Sequence, residues 1–469
     1  MKPRISIRSQ TRVGALARLM PLGLVWSCNK KPLDEHVRLL RAADTLTTGA
    51  SGADSNPGVP AAGARNGVIP GAGAAATANG TGGNLDSGGN PFNAAGGSGP
   101  AMPPPRFSKR RLREALADCA LSSYREFGDA ALALVNTTEG LAADPGASPD
   151  AAQVAWLNAA ASWQRAEPLR FGPAARSGEP GGQNVRDEIY SFPLANYCRV
   201  DQQIVDRSYA NESFPTSLSS ARGLAAIEYL LFHTGSTNAC SSAIALNVNG
   251  DWAALSNAEL AQRRFDYAAR AGRDVLDRAN ALIVAWEPDA GNFYTQFVDA
   301  GRSGGPFDNE QRAFNAVSDA LLYVEKEVKD WKLGWPLGLV PECLNTPSPC
   351  PTEVESRYAR VSTDHVRQNL LGFQRAFEGC GSGGSGLGFD DWLNAVGAED
   401  LANRMLAALD AAQISAETLN PPLESALYQN PEPVRALHQA VKGLTDLLKT
   451  EFITVLDFEL PMALEGDND

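Results

Sequence analysis

The stretch Arg222-Gly223-Leu224-Ala225-Ala226-Ile227-Glu228-Tyr229-Leu230-Leu231-Phe232 carries one carboxylate, Glu228, inside a run that is otherwise apolar after its first residues. A helix that is apolar nearly all round is buried. An ionised carboxylate in it has to be paired, solvated in a cleft, or protonated. Glu228 is therefore either a structural acid tied to backbone or to a cation such as Arg222, or a functional one. Few other residues compete for chemistry. The four histidines, His36, His233, His365 and His438, are scattered, and His36, His365 and His438 read as surface or cap residues. His233 lies five residues after Glu228, well off its helical face. The chain contains no HExxH zinc-peptidase motif, no Gly-x-Ser-x-Gly elbow and no CxxC pair.

The elements that must hold Glu228 in place are helices. Phe314, Val317, Leu321, Val324, Val328 and Trp331 recur at steps of three and four, with Glu325, Lys326, Glu327 and Lys329 between them. Val434, Leu437, Val441, Leu444 and Leu448 repeat the pattern, as do Ala120, Tyr124, Phe127, Ala131 and Leu134. Ser256 and Glu259 have the spacing of a capping box ahead of a long helix that reaches Trp286. No run of alternating β-branched residues appears. The predicted fold class is all-α, two packed antiparallel helical bundles, with residues 107–300 in the first and 301–469 in the second.

The 469 residues carry a formal charge of −13, which argues against a nucleic-acid-binding protein. At the N-terminus Lys2, Arg4, Arg8 and Arg12 precede a mostly apolar segment, Val13 to Trp26, although Arg18 interrupts it. This reads as an export signal over residues 1–27, and Ser27-Cys28 resembles a lipobox, which would make Cys28 a lipidated first residue. The alternative is an ordinary amphipathic N-terminus. Residues 28–106 read as a flexible Gly/Ala-rich tether; between Thr45 and Pro105 there is one aromatic residue, Phe92, and three charges, Asp54, Arg65 and Asp86. Export makes disulfides the natural use of the remaining cysteines. Cys343 and Cys350 bracket a short segment and are expected to be bridged, whereas Cys119, Cys198, Cys240 and Cys380 allow three pairings.

Around Gly223 and Glu228 the chain resembles the imelysin-like family of bacterial envelope proteins, whose signature is a GxHxxE motif within a helix. The segment Trp156 to Pro173, the Ser191-Phe192-Pro193-Leu194 element, and the stretches Gln262 to Trp286, Ser362 to Gly379 and Leu423 to Asp467 follow the family's order. The resemblance implies two helical bundles. It also marks a departure, because Ala225 stands where the motif has His. His and Glu three apart share a helix face and could jointly hold a metal, and alanine offers no lone pair. Three functions follow as expectations. The first is a non-catalytic lipoprotein that binds a small ligand, a metal or an envelope partner in a cleft floored by Glu167, Arg222, Gly223 and Glu228. The second is an iron-acquisition component in which Glu167 and Glu228 hold iron or another divalent cation through oxygen. The third is a metallopeptidase, the activity for which the family is named. The expected location is the periplasmic side of the envelope or the outer membrane, through the lipid on Cys28.

Overall fold

The computed structural model describes residues 107–302, 304–340, 343, 349–381 and 384–460. The expected signal segment, Cys28 and the tether lie outside the described residues. Among those described there is no strand, and the α-helices of ten residues or more are α1 (Lys109–Ala143), α2 (Asp150–Ala166), α3 (Tyr197–Asp206), α4 (Gly223–Phe232), α5 (Asn257–Trp286), α6 (Glu310–Leu321), α7 (Ser362–Glu378), α8 (Glu399–Glu417) and α9 (Glu432–Leu447). The protein is all-α, as its periodicity predicts.

Helix α1 packs on α2 and α5, and α5 packs on α4; α7, α8 and α9 form a second group. Two of the predicted stripes face inward along α-helices: Tyr124, Phe127, Ala131 and Leu134 on α1, and Val434, Leu437, Val441 and Leu444 on α9, are at most 1% exposed. The Ser256–Glu259 capping box is present, with Ser256 N–H donating to Glu259 at 3.0 Å and Glu259 N–H donating back at 3.2 Å. Packing of α2 against α7 joins the groups. Residue 300 falls in the loop between the short helix Phe293–Val298 and α6, and elements from both sides of it belong to one compact unit.

The 314–331 stripe is not one α-helix. After α6 the backbone winds as a π-helix over Val324–Gly334, and a second π segment, Leu448–Phe452, follows α9. The wider i→i+5 turn changes which side chains share a face. Trp331 is partly exposed, while the intervening Glu325, Glu327 and Lys329, together with Asp330 and Lys332, are buried. Their charges are matched internally. Lys329 lies 3.0 Å from Glu325 and 3.1 Å from Asp330, Lys449 of the second π segment lies 2.7 Å from Glu325, and Arg170 lies 2.5 Å from Glu327. Disulfides join Cys343 to Cys350, as expected, and Cys119 to Cys380 and Cys198 to Cys240.

Candidate functional site

Helix α4 is buried along its whole length. It can start only with glycine, because Gly223 has φ +74° and a Cβ there would lie 2.5 Å from the Ile189 carbonyl oxygen. Arg222, just before it, donates to Asp274 Oδ2 at 2.9 Å and to the Ser217 carbonyl at 3.0 Å, and also pairs with Glu188. These partners occupy Arg222, so it is not the counter-ion of Glu228. Glu228, 1% exposed, instead accepts from two successive backbone N–H groups at its Oε1: Tyr358 at 2.9 Å and Ala359 at 3.0 Å. Burial pushes its pKa up to about 7, against the pull of Ala359 N–H, His365 and Tyr358 N–H. At neutral pH this carboxyl is poised between its two protonation states.

The loop that supplies those amides, residues 354–361, also places Glu355 in the core. Two of its residues, Ser356 (φ 46°) and Arg360 (φ 62°), adopt left-handed backbone, a strain that tends to collect at functional sites. Glu355 accepts from the Tyr190 hydroxyl at 2.6 Å and from Gln164 at 3.2 Å; Lys332 of the π segment is 3.1 Å away, and His365 Nδ1 is 3.3 Å from its other oxygen. Burial opposes ionisation of Glu355, but Lys332, then His365 and the Tyr190 hydroxyl, prevail and hold its pKa at about 2. Lys332 also donates to Gln164 at 2.5 Å and Asn369 at 2.7 Å, and Asn369 donates to Gln164 at 2.8 Å. The two groups of helices thus share a buried hydrogen-bonded network drawn from α2, the π segment, the 354–361 loop and α7.

Beside the Glu228 cradle stand Tyr197, Tyr229 and Tyr358, with ring centroids 4.9–5.1 Å apart. The Arg357 guanidinium lies over Tyr197 and Tyr358 at 5.2 and 4.9 Å, and donates to the Tyr358 hydroxyl at 3.0 Å. Tyr197, Arg357 and Tyr358 are half-buried. The Tyr229 hydroxyl donates to Asp201 at 3.0 Å, and burial raises Asp201 to about 6. His233 stacks on Tyr229 at 4.9 Å and offers nothing to Glu228.

The residues singled out in the sequence do not converge on one floor. Glu167, fully buried, accepts from Trp163 Nε1 at 2.8 Å and Arg186 Nε at 3.1 Å. Glu355 is in electrostatic reach of Glu228 and of Tyr323, and Tyr323 is in turn influenced by Glu167. His365 and His438 are buried, at 2% and 7% exposure, where surface or cap positions were expected. The polar network is what draws His365 inward. Glu355 and the 354–361 loop have no sequence signature because a turn has no period, and Lys332 has none because the π-helical winding departs from the α-helical period. One signal was available: His365 and Asn369 sit four apart on the apolar face made by Val366, Leu370 and Phe373.

A His/Glu metal pair is what the motif would imply, and the residues present do not fit one. Ala225, 3% exposed, has no donor, Glu228 Oε1 is engaged by two amides, and among the described residues no three His, Cys, Asp or Glu side chains cluster to hold a metal ion. No helix among the described residues is long and apolar enough to cross a membrane.

Two solved structures share the fold. One, from Parabacteroides distasonis ATCC 8503, is named an iron-regulated protein A precursor; it is 17% identical with a TM-score of 0.57, and the match covers 75% of this chain and 96% of that one. The other, an imelysin-like protein from Psychrobacter arcticum 273-4, is 16% identical with a TM-score of 0.57, covering 76% of this chain and 98% of that one. No curated protein sequence matches the chain. Residues 120–450 match the family Imelysin (Peptidase_M75). The order of helices around Glu228 and this match over most of the folded region give the same assignment: the chain belongs to the imelysin family.

Proposed function

We propose that the protein is a lipid-anchored, non-catalytic component of the bacterial cell envelope that binds a ligand or partner at the Glu228 site. The observation that carries this reading is the cradle itself. A carboxyl that titrates near neutrality is held by the Tyr358 and Ala359 amides beside half-buried tyrosines, which suits recognition of a hydrogen-bonding group. Peptide hydrolysis through a metal needs an activated water and an open coordination position, and the Ala225/Glu228 pair supplies one oxygen donor in place of two ligands. Anchoring rests on the basic and apolar segment that precedes Cys28.

Two measurements test the proposal. Incubation with casein, with and without chelator, should give no cleavage; chelator-sensitive hydrolysis that persists in Glu228→Gln would overturn both the site and the non-catalytic reading. Cys28→Ser should shift the protein from the detergent phase to the aqueous phase, because two acyl chains, at ~0.8 kcal/mol per buried methylene, dominate membrane attachment. The name of the Parabacteroides protein makes iron the first cation to titrate. A rise in melting temperature with Fe³⁺ that is lost in Glu228→Gln would favour iron acquisition.

A further inference from the structure

Away from Glu228, the turn that follows α3 and one face of α5 enclose an open surface cavity of about 490 Å³, lined by Arg207, Tyr209, Ala210, Asp266, Arg270 and Arg273. That volume falls within the range of small-molecule sites. The α5 residues follow one another by four and three positions, so a single helix face presents an acid and two guanidinium groups to the cavity. In a chain of net charge −13, arginines are expected to be matched by the surrounding carboxylates. Arg273 is, by Glu139. Neither Arg207 nor Arg270 forms an ion pair with a carboxylate among the described residues: Arg207 lies within electrostatic reach of the Tyr209 hydroxyl and of Glu259, and Arg270 lies over the Phe214 ring at 5.2 Å.

Local structure places Arg207 in the chain, and the Phe214 ring supports Arg270. Arg207 takes the left-handed position that ends α3, with φ 58°. Of the carbonyls in the last turn of α3, which would repel an anion, those of Ile204 and Val205 accept from Arg263 Nη1, at 3.2 and 2.9 Å. Asp266 has one oxygen engaged by Gln262 at 2.7 Å, which leaves the other available as an acceptor.

We propose that this cavity binds a small dicarboxylate that also bears a hydroxyl group, with Arg207 and Arg270 each taking one carboxylate and Asp266 accepting the hydroxyl hydrogen. Guanidinium groups bind carboxylates through paired N–H donors, which favours two separated carboxylates over one compact anion. The site is independent of Glu228, so its failure would leave the reading of that site untouched.

Isothermal titration at low salt with malate, succinate and inorganic phosphate tests the proposal. Malate should bind tightest, succinate more weakly for want of the hydroxyl, and phosphate weakest. Arg207→Gln and Arg270→Gln should each weaken malate about tenfold or more. Asp266→Ala, which removes the acceptor, should abolish the preference for malate over succinate. Arg302→Gln, which removes an equal charge at an exposed position elsewhere, should change nothing, and the melting temperatures should show that every variant folds. The proposal is overturned if malate binds the two cavity variants as well as the parent, if Arg302→Gln weakens it equally, if phosphate binds at least as well as malate, or if no anion binds.

Discussion

Glu228 and Glu355 lie in the same core, yet one titrates at about 7 and the other at about 2. The difference is in their partners. Backbone amides offset only part of the desolvation of Glu228, whereas Glu355 has the full charge of Lys332. For Glu228 the folded pKa lies above the ordinary 4.5, so between these values the folded chain keeps a proton that the unfolded chain has lost. Stability from this group is therefore present at low pH and falls as pH rises from 4.5 through about 7. Glutamine keeps the carbonyl that accepts from both amides and cannot ionise. Denaturant titrations of Glu228→Gln and parent at about pH 5 and about pH 8 should show the variant gaining on the parent by on the order of 3 kcal/mol. A difference that does not change with pH would remove Glu228 from the titrating groups. Lys332→Met should behave in the opposite way from a benign core substitution. It strands Glu355 without its cation, at a cost of about 3–5 kcal/mol measurable by the same titration.

At the scale of elements, α4 depends on how it begins. Gly223 serves both a left-handed backbone and a close approach to the Ile189 carbonyl, and no other residue type meets both demands. Gly223→Ala should lose about 1–3 kcal/mol from backbone strain alone, before any cost of displacing the short helix Val185–Ile189. Chemical denaturation would measure it. An unchanged midpoint would mean that the helix start relaxes and that Glu228 is not held by it. The π segment has a different basis. Its wide turns admit five charged side chains into the interior because each meets a partner from another element or from its own next turn.

On the scale of the whole molecule, the bridges act very differently. Cys343–Cys350 spans 7 residues and Cys119–Cys380 spans 261, tying α1 to the loop after α7. Closing a short loop removes little freedom from the unfolded chain, and closing a long one removes much. Replacing both cysteines by serine should cost about 2 kcal/mol for the first pair and about 5 kcal/mol for the second. Melting of the two double variants side by side tests the order, and equal losses would show that unfolded-chain entropy does not govern either bridge.

Much of this protein could be read from its sequence. Helical stripes such as Ala120 to Leu134 and Val434 to Leu448, the Ser256–Glu259 cap, the Cys343–Cys350 bridge and the buried character of α4 are local patterns, legible because helix periodicity and short-loop closure act over a few residues. The sequence also located Glu228 as a carboxylate in an apolar helix. What it faces was decided only by tertiary structure. The Tyr358 and Ala359 amides are 130 and 131 residues away along the chain, and an amide donor carries no residue-type signature. Arg222, adjacent in sequence, turned to Asp274, and Glu167 to Arg186. The charges of the π segment lie between the apolar stripe residues in the sequence, and an α-helical period does not reveal their burial. Their burial depends on partners such as Lys449 and Glu355, which only the folded chain brings within reach. Desolvation and long-range pairing are properties of the packed molecule, so the chemistry of the site was set there.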